Sequence, residues 1–99
     1  MTIYEHRTSL TTASGDTSTT SLNIRGGLLR QLFVQANTTT TVFRVNLQDQ
    51  NSLQRGDYGF HTGTLNDMNI SMPIAGRLRI GITNASPDDT FQVYVGVEE

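Results

Sequence analysis

The sequence predicts an all-β fold, an antiparallel β-sandwich of about seven or eight short strands. Three observations favour it. Apolar residues alternate with polar ones along several segments, which is the period of a strand. Threonine is frequent and suits strands, whereas the abundant asparagine, serine and glycine suit turns. Clusters of turn-forming residues separate the alternating segments at short intervals.

A jelly-roll-like sandwich is the preferred variant of this fold, and an immunoglobulin-like sandwich is the alternative. The alternative normally contains a buried tryptophan or a cysteine pair, and this sequence has no Trp and no Cys. The 99 residues suffice for one domain with one core, so residues 1–99 are expected to form a single β-sandwich domain.

The C-terminal stretch, residues 77–97, carries the strongest strand pattern. Two alternating segments flank a polar stretch, residues 84–89, that is rich in turn formers. Their apolar positions are Leu78, Ile80 and Ile82 in the first segment and Phe91, Val93 and Val95 in the second. We expect the two segments to pair as an antiparallel hairpin, with Ile82 opposite Phe91 and all six side chains on one buried face.

The N-terminal half predicts three further strands. Residues 2–10 alternate weakly, which suggests an edge strand or an arm that reaches a neighbouring subunit. After a polar connection at residues 11–20, a short strand covers residues 21–25, and Gly26-Gly27 interrupts it. Residues 28–36 fit a strand or a short amphipathic helix, and we favour the strand, which would bury Leu28, Leu32, Val34 and Ala36.

The middle of the chain combines one clear strand with a long irregular region. Residues 41–48 alternate regularly, with Phe43, Val45 and Leu47 on the inner face. Residues 49–67 are expected to be mostly loop, with a short strand near residues 57–61 that places Tyr58 and Phe60 on one face. Residues 68–74 then predict a strand that buries Met68, Ile70 and Met72, followed by a turn at Ala75-Gly76.

Charge and composition exclude several classes of function. The formal net charge is -2 and the basic residues are scattered arginines, so no concentrated basic surface for nucleic acid is expected. No segment has the length and hydrophobicity of a membrane span, and the N-terminal residues do not resemble a signal peptide. We therefore expect a soluble protein made in a cytoplasm, with no nucleic-acid or membrane partner.

The sequence contains no recognisable catalytic or metal-binding motif. The two histidines, His6 and His61, lack the spacing and additional ligands of a zinc site. Nucleophile-elbow, Walker A and dinucleotide-binding patterns are also absent. We therefore expect no enzyme activity, no catalytic residue, no metal and no cofactor.

The candidate binding residues are instead aromatic and basic side chains with predicted exposure. Tyr and Arg are favoured at the centres of interfaces, and aromatic rings on small sandwiches can stack on sugar rings. Arg79 would lie opposite Tyr94 across the predicted hairpin. The interface or ligand candidates are Tyr58, Phe60, His61, Arg79 and Tyr94.

Several of these features resemble small virion proteins of tailed bacteriophages. The ending ITNASPDDTFQVYVGVEE after GRLRIG is similar to the final hairpin of head-decoration or fibre-type domains. The Thr- and Asn-rich composition without cysteine or a catalytic motif fits the same group. The resemblance implies a non-enzymatic sandwich that binds the capsid exterior, often as an oligomer, and it assigns no individual residue.

The function expected from this resemblance is that of a capsid decoration or cement protein. Its partners would be the major capsid protein or other virion subunits, with further copies of itself in a homo-oligomer. Its location would be the virion, after synthesis in the host cytoplasm. The alternative is a small carbohydrate- or receptor-binding module, with a glycan as its ligand.

Overall fold

A computed structural model describes residues 3–12, 17–48, 54–83 and 89–98, and every regular element in these ranges is a β-strand. The strands are β1 (Ile3–Thr11), β2 (Thr17–Ala36), β3 (Val42–Gln48), β4 (Gln54–Thr62), β5 (Thr64–Asp67), β6 (Met72–Thr83) and β7 (Thr90–Glu98). None of the described residues belongs to a helix that could cross a membrane.

The strands form two antiparallel sheets that share the long strand β2. Residues 17–29 of β2 pair with β6, which continues through β3 to β4. Residues 28–36 pair with β7 on one side, and residues 32–35 pair with β5 on the other. Since β7 also pairs with β1, one sheet has the order β1-β7-β2-β5 and the other β2-β6-β3-β4.

This arrangement confirms the predicted antiparallel all-β fold, in which the two sheets pack as a sandwich. The seven described strands fall within the predicted number. The jelly-roll variant is not confirmed and stays a prediction. β1 pairs with β7 of its own chain over nine residues, and the described residues provide no second ladder partner for it.

The core lies between the sheets and contains the inward-facing apolar residues of both. Phe43 of β3 and Phe91 of β7 belong to different sheets, and their ring centroids lie 5.1 Å apart in an edge-on arrangement. Aromatic pairs of this geometry stabilise a core beyond the area they bury. The predicted inner residues of β3, Phe43, Val45 and Leu47, are all fully buried.

For the C-terminal hairpin, the prediction of which side chains are buried is correct, and the prediction of which strands pair is wrong. All six apolar residues of the two segments are buried in the core. However, β6 and β7 each pair with β2 and not with one another. Ile82 lies opposite Ser18 and Val45, whereas Phe91 lies opposite Ala36 and Leu10. The connecting residues 84–88 lie outside the described part of the chain.

Residues 28–36 form a strand, as predicted, but as the continuation of one strand that begins at residue 17. The interruption expected at Gly26-Gly27 is a register irregularity in the β2–β6 ladder. A second irregularity between Leu29 and Gln31 in the β2–β7 ladder buries Leu29 fully and leaves the predicted Leu28 only partly buried. An irregularity of this kind changes the side-chain alternation, which strict period-two counting does not anticipate.

The long loop expected at residues 49–67 is mostly strand, because β4 and β5 occupy residues 54–62 and 64–67. Residues 68–71, in contrast, are not part of a strand, and β6 begins at residue 72 and continues through the predicted turn at Ala75-Gly76. Met68 is therefore 61% exposed, although it was expected to be buried, while Ile70 is buried as predicted. Residues 49–53 lie outside the described ranges.

Two glycines of the β4–β5 region provide a test of this packing. Both Gly59 and Gly63 have positive φ, at 68° and 76°. A Cβ on Gly63 would lie 2.8 Å from the carbonyl oxygen of Thr39, whereas a Cβ on Gly59 would meet no atom within 4 Å. Substitution at Gly59 therefore adds only backbone strain, and substitution at Gly63 adds strain and a clash with backbone.

We expect Gly59→Ala to lower the free energy of unfolding by about 1–2 kcal/mol. Gly63→Ala should lower it by about 3 kcal/mol or more, since overpacking adds to the strain. Urea denaturation of both variants beside the unsubstituted protein measures the difference. Equal losses would contradict the close approach of Thr39 to Gly63.

Candidate functional site

The outer face of the β1-β7-β2-β5 sheet carries a shallow groove that is the best candidate for a binding site. Alternation along β1, β2 and β7 directs Glu5, Gln31, Phe33 and Tyr94 away from the core, whereas Val95 faces inward. We call it the outer groove, and its lining residues are Glu5, Gln31, Phe33, Asn66, Met68, Tyr94, Val95 and Gly96. Its volume is about 200 Å³.

A second hollow continues the outer groove toward the end of the sheet. Its volume is about 380 Å³, and it shares Gln31 and Met68 with the first. Ile3 and Arg30 stand on its margin. Arg30 Nε lies 2.9 Å from Glu98 Oε2, so the guanidinium is held at this end of the groove by an ion pair. The two hollows together provide an elongated, mixed apolar and polar surface.

Tyr94 stands at the centre of the outer groove, between two neighbouring strands. Arg7 of β1 and Phe33 of β2 lie directly opposite it in the two ladders. The centroids of the Phe33 and Tyr94 rings are 5.5 Å apart, and Arg7 Cζ lies 5.0 Å from the centroid of the Tyr94 ring. Arg7 Nε also donates to Glu5 Oε1 at 2.7 Å. This row combines a cation, two aromatic rings and a carboxylate.

The side chain of Gln31 lies close against the backbone of β7, because its neighbour on that strand is Gly96. A Cβ on Gly96 would lie 2.9 Å from Gln31 Oε1 and 3.1 Å from Gln31 Cβ. The missing side chain thus makes room for the carboxamide of Gln31 on the sheet. Gln31, together with the exposed Asn66, offers amide donors and acceptors beside the rings of Phe33 and Tyr94.

The predicted candidates on β4 do not join Tyr94, because β4 belongs to the other sheet. Phe60 is 70% exposed and lies under Arg44, whose Cζ is 5.9 Å from the ring centroid. Tyr58 packs against the core, so the prediction that it shares a face with Phe60 is wrong. The β3–β4 register shifts between Arg44 and Asn46, and Gly59 has positive φ, which together rotate Tyr58 inward.

Tyr58 and His61 are partly buried and have structural contacts on the inner side of β4. His61 Nε2 donates to the carbonyl oxygen of Tyr58 at 2.8 Å, and the His61 ring centroid lies 6.5 Å from that of Phe43. Burial raises the pKa of the Tyr58 phenol to about 12, and the nearby Asp67 carboxylate contributes to the increase. These contacts indicate that Tyr58 and His61 stabilise the packing at the edge of the core and do not form a ligand-binding surface.

Arg79 does not lie opposite Tyr94, which corrects the pairing expected from the sequence. β6 and β7 are not neighbours, and Arg79 is aligned with Ser21 on one side and Gln48 on the other. The arginine that meets Tyr94 is Arg7. Of the five candidates, only Tyr94 lies in the outer groove.

Most residues of the outer groove are not among the candidates predicted from the sequence. Phe33 had a detectable signal, because a strand that buries Leu32 and Val34 must direct Phe33 outward. Glu5 and Arg7 lacked such a signal, since their position depends on β1 pairing with β7. Among the described residues, no group of three or more His, Cys, Asp or Glu side chains could hold a metal ion. The chemistry available in the groove is apolar contact, hydrogen bonding and surface charge.

The ion pair between Arg44 and Asp57 makes the stability of the fold depend on pH. Arg44 Nε donates to Asp57 Oδ1 at 3.0 Å, a second guanidinium nitrogen contacts Asp57 Oδ2, and the N–H of Gly59 donates to Oδ1 at 2.9 Å. The hydrogen bond from Arg44, followed by that from Gly59, lowers the pKa of Asp57 from 3.8 to about 2. Below pH 3.8 the unfolded chain takes up a proton that the folded chain still excludes.

We therefore expect the contribution of Asp57 to be complete above pH 3.8 and to be lost as the pH falls toward 2. Asp57→Asn should remove this part of the acid sensitivity. Arg44→Gln should reduce it, because the folded-state pKa of Asp57 then lies closer to 3.8. Urea denaturation at a series of acidic pH values measures both effects. An unchanged acid profile in Asp57→Asn would contradict the lowered pKa.

No family model and no curated protein sequence matches this chain. Among solved structures, it is similar to the crystal structure of FlhE, with 14% identity over 99% of this chain and 97% of that chain, and a TM-score of 0.53. It is also similar to the crystal structure of PirA, with 10% identity over 93% of each chain and a TM-score of 0.54.

Weaker likenesses link the chain to virus structures. Two structures of infectious bursal disease virus, from the Gt and Gx strains, have 15% identity and TM-scores of 0.38 and 0.34. The matches cover 97% and 98% of this chain and 32% of each viral chain. These TM-scores are too low to support a conclusion about this chain. FlhE and PirA share its fold, and the resemblance to tailed-phage virion proteins stays a prediction.

Proposed function

We propose that this protein is a non-enzymatic structural component of a virion, a decoration or cement protein that binds the exterior of an assembled capsid. The observation that carries the proposal is the apolar surface at the end of the outer groove. Ile3 is 45% exposed and Met68 61% exposed, and both border the second hollow. Large exposed apolar side chains grouped beside a groove are typical of a surface that another protein covers.

The order of the strands supports the proposal at the level of the fold. If β2 is counted once in each sheet, the sandwich consists of four strand segments in each sheet. This favours the jelly-roll variant, an architecture found in viral capsid proteins and in lectins. Because one fold supports many functions, the proposal depends on the surface more than on the architecture.

A protein of this kind would stabilise the capsid by mass action. It would bind across adjacent subunits that are neighbours only in the assembled shell, so its binding free energy would favour the shell over separated subunits. Most residues of the outer groove lie on paired strands, whereas Met68 lies in the segment between β5 and β6. Exposed polar groups around Ile3 and Met68, such as Asn69 and Ser71, would form the rim of the contact.

The test is co-sedimentation with empty heads of the tailed phage that encodes the protein, purified without it. We expect saturable binding, weakened about tenfold or more in the double variant Ile3→Ser/Met68→Ser, because two apolar contacts are lost. The matched control is Val42→Ser/Phe60→Ser, which removes exposed apolar side chains from the other sheet. It should bind normally.

Absence of binding by the unsubstituted protein would contradict the proposed function. Normal binding by Ile3→Ser/Met68→Ser, together with weak binding by the control, would assign the contact to the β3–β4 side of the molecule and contradict the proposed surface. Circular dichroism of each variant verifies that the fold is retained.

A second candidate function is glycan binding, and the composition of the outer groove favours it. The rings of Phe33 and Tyr94 could pack on the apolar face of a sugar ring. The amides of Gln31 and Asn66 and the carboxylate of Glu5 could form hydrogen bonds with its hydroxyl groups. A site with apolar walls and a few polar groups is typical of small-ligand binding.

A glycan array with the unsubstituted protein, Phe33→Ala and Phe60→Ala tests this candidate. Glycan binding requires that signals depend on Phe33, which lies in the groove, and not on Phe60, which is exposed on the other sheet. An array without signal contradicts glycan binding and leaves the decoration proposal as the better explanation of the groove.

A further inference from the structure

Among the described strands, β1 is the last of its sheet, and its outer edge has the chemical pattern of a self-pairing surface. The register of β1 with β7 is unbroken from Ile3 to Thr11. Of the other edges, β5 has only four residues, and the β4 ladder is interrupted by two register shifts. The remaining edge, residues 17–24 of β2, lies beside the inner face of β1, where the Thr20 and Thr8 hydroxyls are 3.0 Å apart. Short or irregular edges resist pairing, whereas a long regular edge offers a template for another strand.

The hydrogen-bonding direction of each residue of β1 follows from the ladder. The N–H of Thr12 donates to the carbonyl oxygen of Asp89 at 2.9 Å, in the register that aligns β1 with β7. In an antiparallel ladder, hydrogen-bonded pairs alternate with non-bonded pairs. The even-numbered residues of β1 therefore bond to β7, and the odd-numbered residues, among them Glu5, Arg7 and Ser9, direct their N–H and C=O groups away from it.

Charge favours one register for a two-fold pairing of this edge, the register in which Glu5 and Arg7 of the two copies lie opposite each other. A pairing centred on Arg7 would place Arg7 opposite its symmetry copy, and one centred on Glu5 would place two carboxylates opposite each other. Pairing centred on His6 places Glu5 opposite Arg7 of the second copy, twice. In this register the odd-numbered residues of both strands face each other, as the free N–H and C=O groups require.

The side chains of β1 are suited to that register. Those of Glu5 and Arg7 are 52% and 68% exposed, so both can be reached by a second copy. Tyr4, which is 51% exposed, would lie opposite Thr8 of the second copy and lose part of its exposure. Oppositely charged side chains in directly opposed positions stabilise a pair of strands, and like charges destabilise it.

We propose that the protein forms a two-fold symmetric dimer through antiparallel pairing of β1 with β1 of a second copy, centred on His6. The two β1-β7-β2-β5 sheets then form one continuous sheet across the dimer. Isologous interfaces of this kind are self-complementary and close at two subunits. The inference depends on the edge alone, and it is independent of whether the outer groove binds a capsid or a glycan.

Light scattering coupled to size-exclusion chromatography, at micromolar concentrations, tests the dimer. We expect a mass of twice 10.9 kDa for the full chain. A strict monomer would overturn the proposal, and so would a closed trimer, because two-fold edge pairing does not produce three subunits. Sedimentation of variants then tests the register.

The charge-reversal variants Glu5→Arg and Arg7→Glu should each raise the dissociation constant of the dimer about ten- to thirtyfold, because each creates two like-charge pairs. The double variant Glu5→Arg/Arg7→Glu restores opposite charges in both pairs and should bind within about threefold of the unsubstituted protein. A double variant as weak as the single ones would overturn the register. Urea denaturation of all variants separates loss of the intrachain Glu5–Arg7 pair from loss of association.

Ser9→Pro tests the edge itself. Proline removes an N–H that points away from β7 and obstructs the approach of a second strand, while the β1–β7 ladder keeps its bonds. It should convert the dimer to monomer, and the matched variant Ser9→Ala should remain a dimer. A dimer that persists in Ser9→Pro at undiminished affinity would place the interface elsewhere and overturn the proposal.

Discussion

The structure depends on β2, because this strand supplies hydrogen bonds to both sheets. Its first part pairs with β6, and its second part lies between β7 and β5. The change of partner occurs near Gly26 and Gly27, whose φ values of 143° and 147° are strained for residues with a side chain. Two adjacent glycines thus allow one strand to turn from one sheet into the other. Every ladder among the described strands is connected through β2, either directly or through its neighbours.

The same strand explains which parts of the fold the sequence could predict. Alternation determines the face on which a residue lies, and the six apolar residues of β6 and β7 are buried as expected. Alternation does not determine the partner strand. β6 and β7 appeared to form a hairpin because they are consecutive, but β2 offers each of them a longer ladder, so they belong to different sheets. The alternation of apolar and polar residues is a local property of each segment. The choice of partner strand depends on all the strands of the chain that could pair with it.

The candidate site was harder to predict than the core for the same reason. Tyr94 was identified from its own strand, yet its neighbours Arg7 and Phe33 come from strands that are distant in sequence. Arg79 was predicted to face Tyr94 because β6 and β7 were expected to form a hairpin. Since they do not pair, Arg79 lies on the other sheet. Met68 was assigned to the core because it alternates with Ile70 and Met72 in a predicted strand, but β6 begins only at Met72. The residues that meet on the outer face of a sheet depend on the order of its strands. The pattern of a single sequence predicts this order less well than it predicts the buried faces.

The edge of β1 and the outer groove are physically connected, since Glu5 lines the groove and Arg7 covers Tyr94. Pairing of two β1 strands would therefore place two outer grooves on one continuous sheet face, related by the two-fold axis. Two linked sites increase the overall affinity only if both can bind their ligands at the same time. A capsid lattice and a glycan-coated surface both present identical ligands at repeated positions. If both proposals hold, the dimer would present two outer grooves to such a repetitive surface. Glu5 would then belong to the dimer edge and to the groove at the same time.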